Sequence, residues 1–321
     1  MISEMKKERI TALFESIINH RKLYMGIAMI MVILYHSISS FPNQTIGMIF
    51  YPGFLGVDIF LLLSGYGLSN SFSKNKLGTF YQHRVVRIAP LFLLMMLAIT
   101  IIDVLIGQKS FTVFNLIANI TTLSYLGLGG WFIEWYLCVL LYLCVLFPLF
   151  YKLLSAVRSD WGGDLFYSII VVTIVILTVP LEWYYKCAIG RIPIFCAGIM
   201  LYQKKINVIQ IIRAYTIGLT IAVALFLLHK VETFCVMYML APFAMLIISR
   251  CCHGFETELN SFRKRIETIG AYTLEIYVAN VIVLKLVHDF AYEGLKLPVY
   301  FVLQVILSFV IIRINKMIDK L

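Results

Sequence analysis

Long apolar stretches separated by short polar segments run through the whole sequence. Ten of them are long enough to cross the hydrocarbon core of a membrane, which takes ~20 helical residues. The pattern therefore predicts an all-α integral membrane protein with about ten transmembrane helices. Their approximate limits are 23–41, 50–72, 88–107, 132–154, 165–181, 187–203, 211–228, 233–249, 267–288 and 297–318.

Two segments fall outside this pattern. Residues 1–22 are polar and charged and lack a small-residue cleavage site, so we expect a cytoplasmic N-terminal segment rather than a removable signal peptide. One membrane domain, 23–321, follows it. Residues 112–126 (TVFNLIANITTLSYL) are an eleventh apolar candidate. Their Asn and Thr content favours a re-entrant or surface-lying piece over a lipid-facing helix.

The basic residues test the number of spans, because cytoplasmic loops of membrane proteins collect Lys and Arg. With both termini in the cytoplasm, 21 of the 27 Lys and Arg residues fall on cytoplasmic segments. Counting 112–126 as a full span would reverse every later loop and destroy this bias. We therefore expect ten spans in the plasma membrane, with cytoplasmic N- and C-termini. The six basic residues on the outer side are then Lys109, Lys186, Arg191, Lys230, Lys285 and Lys296.

The composition agrees with a membrane protein, since 61% of the residues are hydrophobic and only 14% are charged. The net charge of +10 reflects the cytoplasmic excess, which lies beside anionic lipid headgroups, and no nucleic acid is expected as a partner. The seven cysteines lie mostly inside spans and form no Cys-x-x-Cys pair. We expect neither a metal site nor a disulfide framework.

Ionisable residues inside the spans are candidates for function, because a charge near the bilayer centre costs at least ~2.5–3.5 kcal/mol. By the rise per helical residue, His36 lies ~7–8 Å and Asp58 ~9–12 Å below the outer boundary. A hydrogen bond between these consecutive spans is geometrically possible, and the carboxylate would then orient the imidazole as a general base. The alternative is a buried histidine satisfied by a backbone carbonyl or by a hydroxyl such as that of Ser37.

Arg84 and Arg87 stand one turn apart in FYQHRVVRIAP, at the predicted cytoplasmic end of span 3. Two cations placed in this way can bind phosphate groups. They are equally explained by the positive-inside bias alone. Glu275 in span 9 lies at a depth that would let it neutralise Arg87 if the two spans were neighbours.

Span 2 (GFLGVDIFLLLSGYGL) is rich in small residues, which let another helix or a ligand approach the backbone closely. Ordinary helix packing is the preferred interpretation of these glycines. They are Gly53, Gly56, Gly65 and Gly67.

Five segments occur in the order and spacing typical of the membrane acyltransferase-3 family, which the chain resembles over roughly residues 20 to 318. They are MGIAMIMVILYHS, GFLGVDIFLLLSGYGL, FYQHRVVRIAPLFLL, GRIPIFCAG and IGAYTLEIYVAN. The family's motif histidine corresponds to His36 and its Gly-Val-Asp to residues 56–58, which end at Asp58. Its paired arginines correspond to Arg84 and Arg87.

The resemblance implies an activity. Members of that family take an acyl group from cytoplasmic acyl-CoA and place it on a hydroxyl of a glycan or a lipid-linked glycan at the outer face. The chain is then expected to be an O-acyltransferase with acyl-CoA, most simply acetyl-CoA, as donor and a cell-surface polysaccharide or its lipid-linked precursor as acceptor. His36 and Asp58 are the expected catalytic residues, and Arg84 and Arg87 the expected ligands of the CoA phosphates.

One departure from the family pattern removes a charge. The family usually carries an arginine in span 1, separated from the histidine by ten residues, and this position is Met25 here. Arg21 and Lys22 lie one turn earlier and are candidates to replace it.

A second departure concerns an acidic Trp-x-x-x-x-Glu-Glu segment of the family. Trp135 aligns with its tryptophan, but Leu140 and Leu141 occupy the acidic positions, and Glu134 is a misaligned replacement. The two departures leave two alternatives open. One is a non-catalytic glycan translocator or exporter that retains the fold, and the other is a sensor or partner-binding protein that has lost the chemistry.

Overall fold

The computed structural model of the chain describes residues 2–105, 112–128, 134–157, 161–257, 261–288 and 292–318, and these are almost entirely helical, with no strand among them. Lys109, which was expected on the outer side, and the basic residues Arg158 and Lys320, which fall on expected cytoplasmic segments, lie outside these ranges. Short 3₁₀ helices lie at Ser37–Ser40, Met48–Leu55 and Leu123–Leu126. The α-helices are α1 (Ile2–Asn19), α2 (Arg21–His36), α3 (Gln44–Gly47), α4 (Gly56–Lys74), α5 (Leu77–Leu105), α6 (Val113–Ile120), α7 (Trp135–Ser155), α8 (Trp161–Leu177), α9 (Trp183–Ile189), α10 (Ile192–Tyr202), α11 (Val208–Leu227), α12 (Thr233–Tyr238), α13 (Ala241–Thr257), α14 (Ser261–Ala271), α15 (Thr273–His288) and α16 (Glu293–Ile318).

Each predicted span overlaps a helix of the described residues, although 106–107 and 132–133 lie outside these residues. Not every one of these helices is long enough to cross a membrane unaided. Span 267–288 is a pair of helices, α14 and α15, bent by 74°. Spans 165–181 and 233–249 coincide with the shorter apolar helices Gly162–Leu177 and Ala241–His253. Within the described residues, length and composition thus support a multi-pass membrane protein and identify seven helices that could cross a membrane, or eight if the bent pair is one span. The expected count of ten is not confirmed. The seven are Arg21–Ser40, Gln44–Lys74, Leu77–Leu105, Trp135–Ser155, Trp183–Tyr202, Val208–Leu227 and Gly294–Ile318.

Segment 112–126 does not form a membrane-spanning helix. It folds into α6, which at eight residues is ~12 Å long, and a following 3₁₀ helix. Between them Thr122 has a φ of 64°, in the left-handed region. The Tyr142 hydroxyl of α7 donates to the Thr122 carbonyl at 3.1 Å, which fixes the turn against the bundle. The expectation that this segment is not an additional span is confirmed.

The helices α2, α4, α5, α7 and α15 pack against one another. The small residues of span 2 let its helix approach the others. A Cβ at Gly56 would collide with a backbone carbonyl of α2, and one at Gly65 with the backbone carbonyl of Phe195 in α10. These positions serve helix packing, as expected. Gly67 differs, because a Cβ there would meet the guanidinium of Arg21.

A buried ion pair joins α4 to the residue that precedes α10. Asp58 Oδ2 lies 3.3 Å from Arg191 Nε, and each side chain is only 2% exposed. The other guanidinium nitrogens are also used: Nη1 donates to the Cys187 carbonyl at 2.9 Å and Nη2 to the Phe54 carbonyl at 3.3 Å. The hydrogen bond predicted between His36 and Asp58 is therefore wrong, because the carboxylate is taken up by a buried cation.

Aromatic rings enclose the same guanidinium. Its central carbon lies 4.5 Å from the ring centroid of Tyr238, 5.1 Å from that of Trp135 and 5.6 Å from that of Phe54. A cation over such rings is attracted by their negative faces, most strongly where water is excluded. Arg191 thus ties α4, α7, α10 and α12 together around one charge.

Asp58→Ala is expected to lower the free energy of unfolding by about 3–5 kcal/mol, because it leaves the Arg191 cation buried without its counter-ion. Thermal unfolding of the purified protein in detergent measures the effect.

The matched control is Asp164→Ala, because Asp164 pairs with Arg213, whose side chain is 57% exposed. Exposed pairs contribute only about 0–1 kcal/mol, so this variant should unfold close to the wild-type temperature. The double variant Asp58→Leu/Arg191→Met removes both charges and should recover much of the loss. Equally small shifts for the two single variants would contradict the structural role of the buried pair.

Candidate functional site

A cavity of ≈ 230 Å³ lies among α2, α4, α5, α7 and α15. Its lining combines cationic, apolar and aromatic side chains and contains no carboxylate among the described residues. The residues are Arg21, Met25, Phe60, Ser64, Gly67, Leu68, Arg84, Arg87, Ile88, Tyr136, Leu140, Cys144, Thr273, Leu274 and Tyr277.

Two helices bring three arginines to one end of this cavity. Arg84 and Arg87 are one turn apart on α5, which continues through Pro90 as a single helix. Arg21 is the first residue of α2. Gly67 of α4 leaves space for its guanidinium, since a Cβ at that position would lie 2.7 Å from Nη1. The pair of cations predicted from the sequence is therefore part of a cluster of three.

Arg84 has a donor left over. Its Nη2 donates to Ser71 Oγ at 2.9 Å, and its guanidinium lies 5.6 Å from the ring centroid of Phe80. The Nε atom is buried and has no hydrogen-bond partner among the described residues. A buried N–H without an acceptor costs ~1–3 kcal/mol of stability. An anion in the cavity that accepts this hydrogen bond would recover that free energy.

Glu275 does not neutralise this cluster. Its Oε1 accepts a hydrogen bond from Asn315 Nδ2 of α16 at 2.9 Å, and Glu275 does not line the cavity. The predicted ion pair between Glu275 and Arg87 is therefore not present. The rotation of α15 about its axis explains this, because it places Tyr277 towards the cavity and Glu275 towards α16.

Residues from both departures from the family pattern line this one cavity. Met25 lines it from α2 and Leu140 from α7. Of the two candidate replacements for the missing arginine, Arg21 lines the cavity and Lys22 does not.

Aromatic side chains close the cavity at the end away from the arginines. The ring centroids of Tyr136 and Tyr277 are 4.8 Å apart, and those of Phe60 and Tyr136 are 6.3 Å apart. The Tyr277 hydroxyl donates to Glu134 Oε1 at 2.5 Å. Glu134 also caps α7, since its carboxylate accepts from the backbone N–H groups of Tyr136 and Leu137. It therefore anchors the aromatic end of the cavity instead of serving as a charged lining group.

His36 lies beyond this aromatic end. Eleven residues, or about three turns, separate it from Met25, so both lie on one face of α2, ~16 Å apart along its axis. On α15, Tyr277 lines the cavity and Asn280, one turn further on, contacts His36. His36 is not itself a lining residue of this cavity. The cavity therefore does not reach His36, because Tyr277 lies about one turn before Asn280 on α15.

The imidazole is oriented by a network of amides. His36 Nδ1 lies 2.5 Å from Oδ1 of Asn280, a fully buried residue. Asn280 Nδ2 lies 2.6 Å from the Tyr300 hydroxyl and 2.8 Å from Gln304 Oε1. The Tyr300 hydroxyl in turn donates to the Ile33 carbonyl at 2.9 Å. The network links α2, α15 and α16 at the residue that the sequence analysis selected.

Asn280 was not among the predicted site residues, because its side chain is not ionisable. The available signal was a pair of amide side chains, Asn280 and Gln304, inside two long apolar spans, where an unpaired amide would also be costly. The hydroxyl of Ser37, considered as an alternative partner of His36, instead donates to the Leu34 carbonyl at 2.7 Å.

Comparison with known protein families matches residues 26–313 to an acyltransferase domain, that of the acyltransferase-3 family. The match begins directly after Met25 and includes His36, Arg84, Arg87 and Asn280. A comparison with curated proteins and one with solved structures return no match. Because the family match extends over most of the 321 residues, the chain belongs to the acyltransferase-3 family of membrane acyltransferases.

Proposed function

We propose that the protein transfers a short acyl group, acetyl in the simplest case, from acyl-CoA to a hydroxyl of a cell-surface polysaccharide or its lipid-linked precursor. The observation that carries this proposal is the layout of α2, which begins in an arginine-lined cavity and ends at an oriented imidazole. Membership of an acyltransferase family supports the transfer chemistry. The arginine cluster and the free Arg84 donor support a donor that carries phosphates.

His36 is the proposed general base. Its imidazole takes the proton of the acceptor hydroxyl as that oxygen attacks the carbonyl carbon of the thioester. The carbon–sulfur bond breaks as the ester bond is completed, and the sulfur takes up a proton to leave as CoA thiol. The apolar surroundings exclude water and so protect the thioester from hydrolysis.

The arginines hold the other end of the donor. Arg84 and Arg87 are proposed to bind the phosphates of CoA, with Arg21 as a third ligand in place of the arginine missing at Met25. Arg21 and His36 are fifteen residues apart, which is ~22 Å along α2. A long pantetheine arm suits this distance, and on this path the thioester passes between Tyr136 and Tyr277.

Asp58 has a different proposed role from the one expected. It holds Arg191, whose guanidinium lies on the ring of Trp135 beside the aromatic end of the cavity. Asp58 therefore acts as a structural anchor of the site rather than as the partner of His36.

We place the arginine end in the cytoplasm and His36 near the outer face of the plasma membrane. The positive-inside bias supports this orientation and the cytoplasmic position of both termini, on the expected topology in which the short helices Gly162–Leu177 and Ala241–His253 also cross the membrane. Acyl-CoA is made in the cytoplasm, so the arrangement sets the donor and the glycan acceptor on opposite sides of one site.

Lys76→Cys and Glu182→Cys, each in a background without native cysteines, test the orientation with a membrane-impermeant maleimide. Lys76 should become labelled only after the cells are permeabilised, because it lies on the predicted cytoplasmic side. Glu182 should be labelled in intact cells. The reverse pattern would overturn the orientation.

His36→Ala is expected to lower turnover by about 10²–10⁴-fold, because it removes general-base catalysis. Binding of acyl-CoA should be nearly unchanged, since His36 lies outside the arginine cavity. Release of CoA thiol with a lipid-linked glycan acceptor measures turnover, and equilibrium binding of a non-hydrolysable acyl-CoA analogue measures affinity.

A different result would favour the translocator alternative. If the wild-type protein released no CoA thiol with any short acyl-CoA, while cells without it failed to export the glycan, the transferase proposal would be wrong. Full activity of the His36→Ala protein would remove His36 from the mechanism while leaving the family's activity in place.

Arg84→Ala and Arg87→Ala should weaken acyl-CoA binding before they affect the chemistry, because each charge-assisted phosphate contact contributes about 1.5–3 kcal/mol. This corresponds to a loss of roughly tenfold to more than a hundredfold in affinity. Arg313→Ala is the control, since Arg313 is an exposed arginine of α16 that does not line the cavity. If Arg313→Ala weakened binding as much as Arg84→Ala does, general surface charge rather than the cavity would bind the donor.

A further inference from the structure

The side-chain amides beside His36 can form all their hydrogen bonds in only one orientation. Backbone carbonyl groups determine which orientation this is. Gln304 Nε2 lies 3.3 Å from the Ile276 carbonyl, which can only accept a hydrogen bond. The same end of Gln304 donates to Ser308 Oγ at 3.0 Å, while that hydroxyl donates to the Gln304 carbonyl. The amide nitrogen of Gln304 must therefore face Ile276, and its Oε1 must face Asn280.

The orientation of Asn280 follows. Because Gln304 Oε1 is an acceptor, the group of Asn280 that faces it at 2.8 Å must be the Nδ2 donor. The second Nδ2 proton points to the Tyr300 hydroxyl at 2.6 Å, and that hydroxyl uses its own proton on the Ile33 carbonyl. Both ends of the network thus terminate on backbone carbonyls. The carbonyl oxygen Oδ1 is the only atom of the Asn280 amide left for His36.

An amide oxygen accepts hydrogen bonds and cannot donate them. The His36 nitrogen that faces Asn280 Oδ1, which is Nδ1, must therefore carry a proton. A neutral imidazole has one protonated and one unprotonated nitrogen, so Nε2 keeps its lone pair. The described partners of His36 include no carboxylate that could hold a second proton on the ring.

We infer that Asn280 is a positioning residue that holds neutral His36 in the tautomer protonated on Nδ1, so that Nε2 is the atom that receives the proton of the acceptor hydroxyl. This inference rests on the proposed function for the role of Nε2, but the tautomer itself is independent of it. When Nε2 takes the proton, the positive charge spreads over the ring and strengthens the Nδ1–H contact with Asn280. The proton then leaves with the CoA sulfur, and the ring returns to its starting tautomer.

Nitrogen-15 NMR of protein with labelled histidine, above neutral pH, tests the tautomer directly. Protonated and unprotonated ring nitrogens resonate far apart, and the spectrum of His36→Ala identifies which of the signals from the six histidines belong to His36. The expected result is a protonated Nδ1 and an unprotonated Nε2. A protonated Nε2 would overturn the inference, whether or not the protein proves to be a transferase.

Two substitutions at Asn280 separate tautomer control from simple packing. Asn280→Leu removes the acceptor, so His36 should lose its single tautomer and turnover should fall at least about tenfold with affinity for acyl-CoA unchanged. Asn280→Asp keeps an oxygen in front of Nδ1 but, like leucine, loses both N–H donors. At a pH at which the ring is neutral, it should preserve the tautomer and most of the turnover. An equal loss of turnover in the Asp and Leu variants would contradict tautomer control. It would show that the N–H donors of Asn280, and hence the packing of the network, are what the activity requires.

Two controls complete the test. Asn119→Leu removes another buried amide, on α6, that is not part of the His36 network, and it should leave both the tautomer and turnover unchanged. In the His36→Ala background, Asn280→Leu should cause no further loss of turnover, because its effect passes through the imidazole. An additional loss of the same size in that background would contradict a positioning role.

Discussion

Polar groups inside a membrane domain must find partners within the protein, and this constraint determines how the helices of this molecule are arranged. Asp58 and Arg191 join α4 to α10. Glu134 and Tyr277 join α7 to α15. Asn280 connects α15 to α16 and, through His36, to α2. Inside a membrane, an apolar side chain is almost equally stable against any neighbouring helix or lipid. These polar contacts therefore specify which helices pack together.

A buried polar group that lacks a partner within the protein therefore points to a ligand. The Arg84 guanidinium has a buried Nε without an acceptor in a cavity whose described lining lacks carboxylates. Elsewhere the protein has matched its buried cations, as at Arg191. Among the described residues, no carboxylate pairs with the three arginines of the cluster. A site for a polyanionic ligand requires this, because a permanent internal carboxylate would compete with that ligand.

Most of the fold could be predicted from the sequence, because apolar length reports directly on helices that cross a membrane. The segment 112–126 was excluded as a span on its Asn and Thr content, and the structure agrees. Two predicted spans are short helices and a third is sharply bent, features that depend on packing and leave little trace in hydropathy. The arginine cluster could be predicted in part, since Arg84 and Arg87 are close to each other in the sequence and lie on one helix. The partners of His36 and Asp58 were not, because depth in the membrane does not fix which helices are neighbours or how each is rotated.

The central claim is that one donor molecule reaches from the arginine cluster to His36. Determination of the structure with a non-hydrolysable acyl-CoA analogue bound tests it most directly. The account predicts phosphate groups among Arg21, Arg84 and Arg87, a pantetheine arm between separated Tyr136 and Tyr277 rings, and the thioester mimic beside Nε2 of His36. An analogue bound with its acyl end remote from His36, or with its phosphates away from the three arginines, would contradict it.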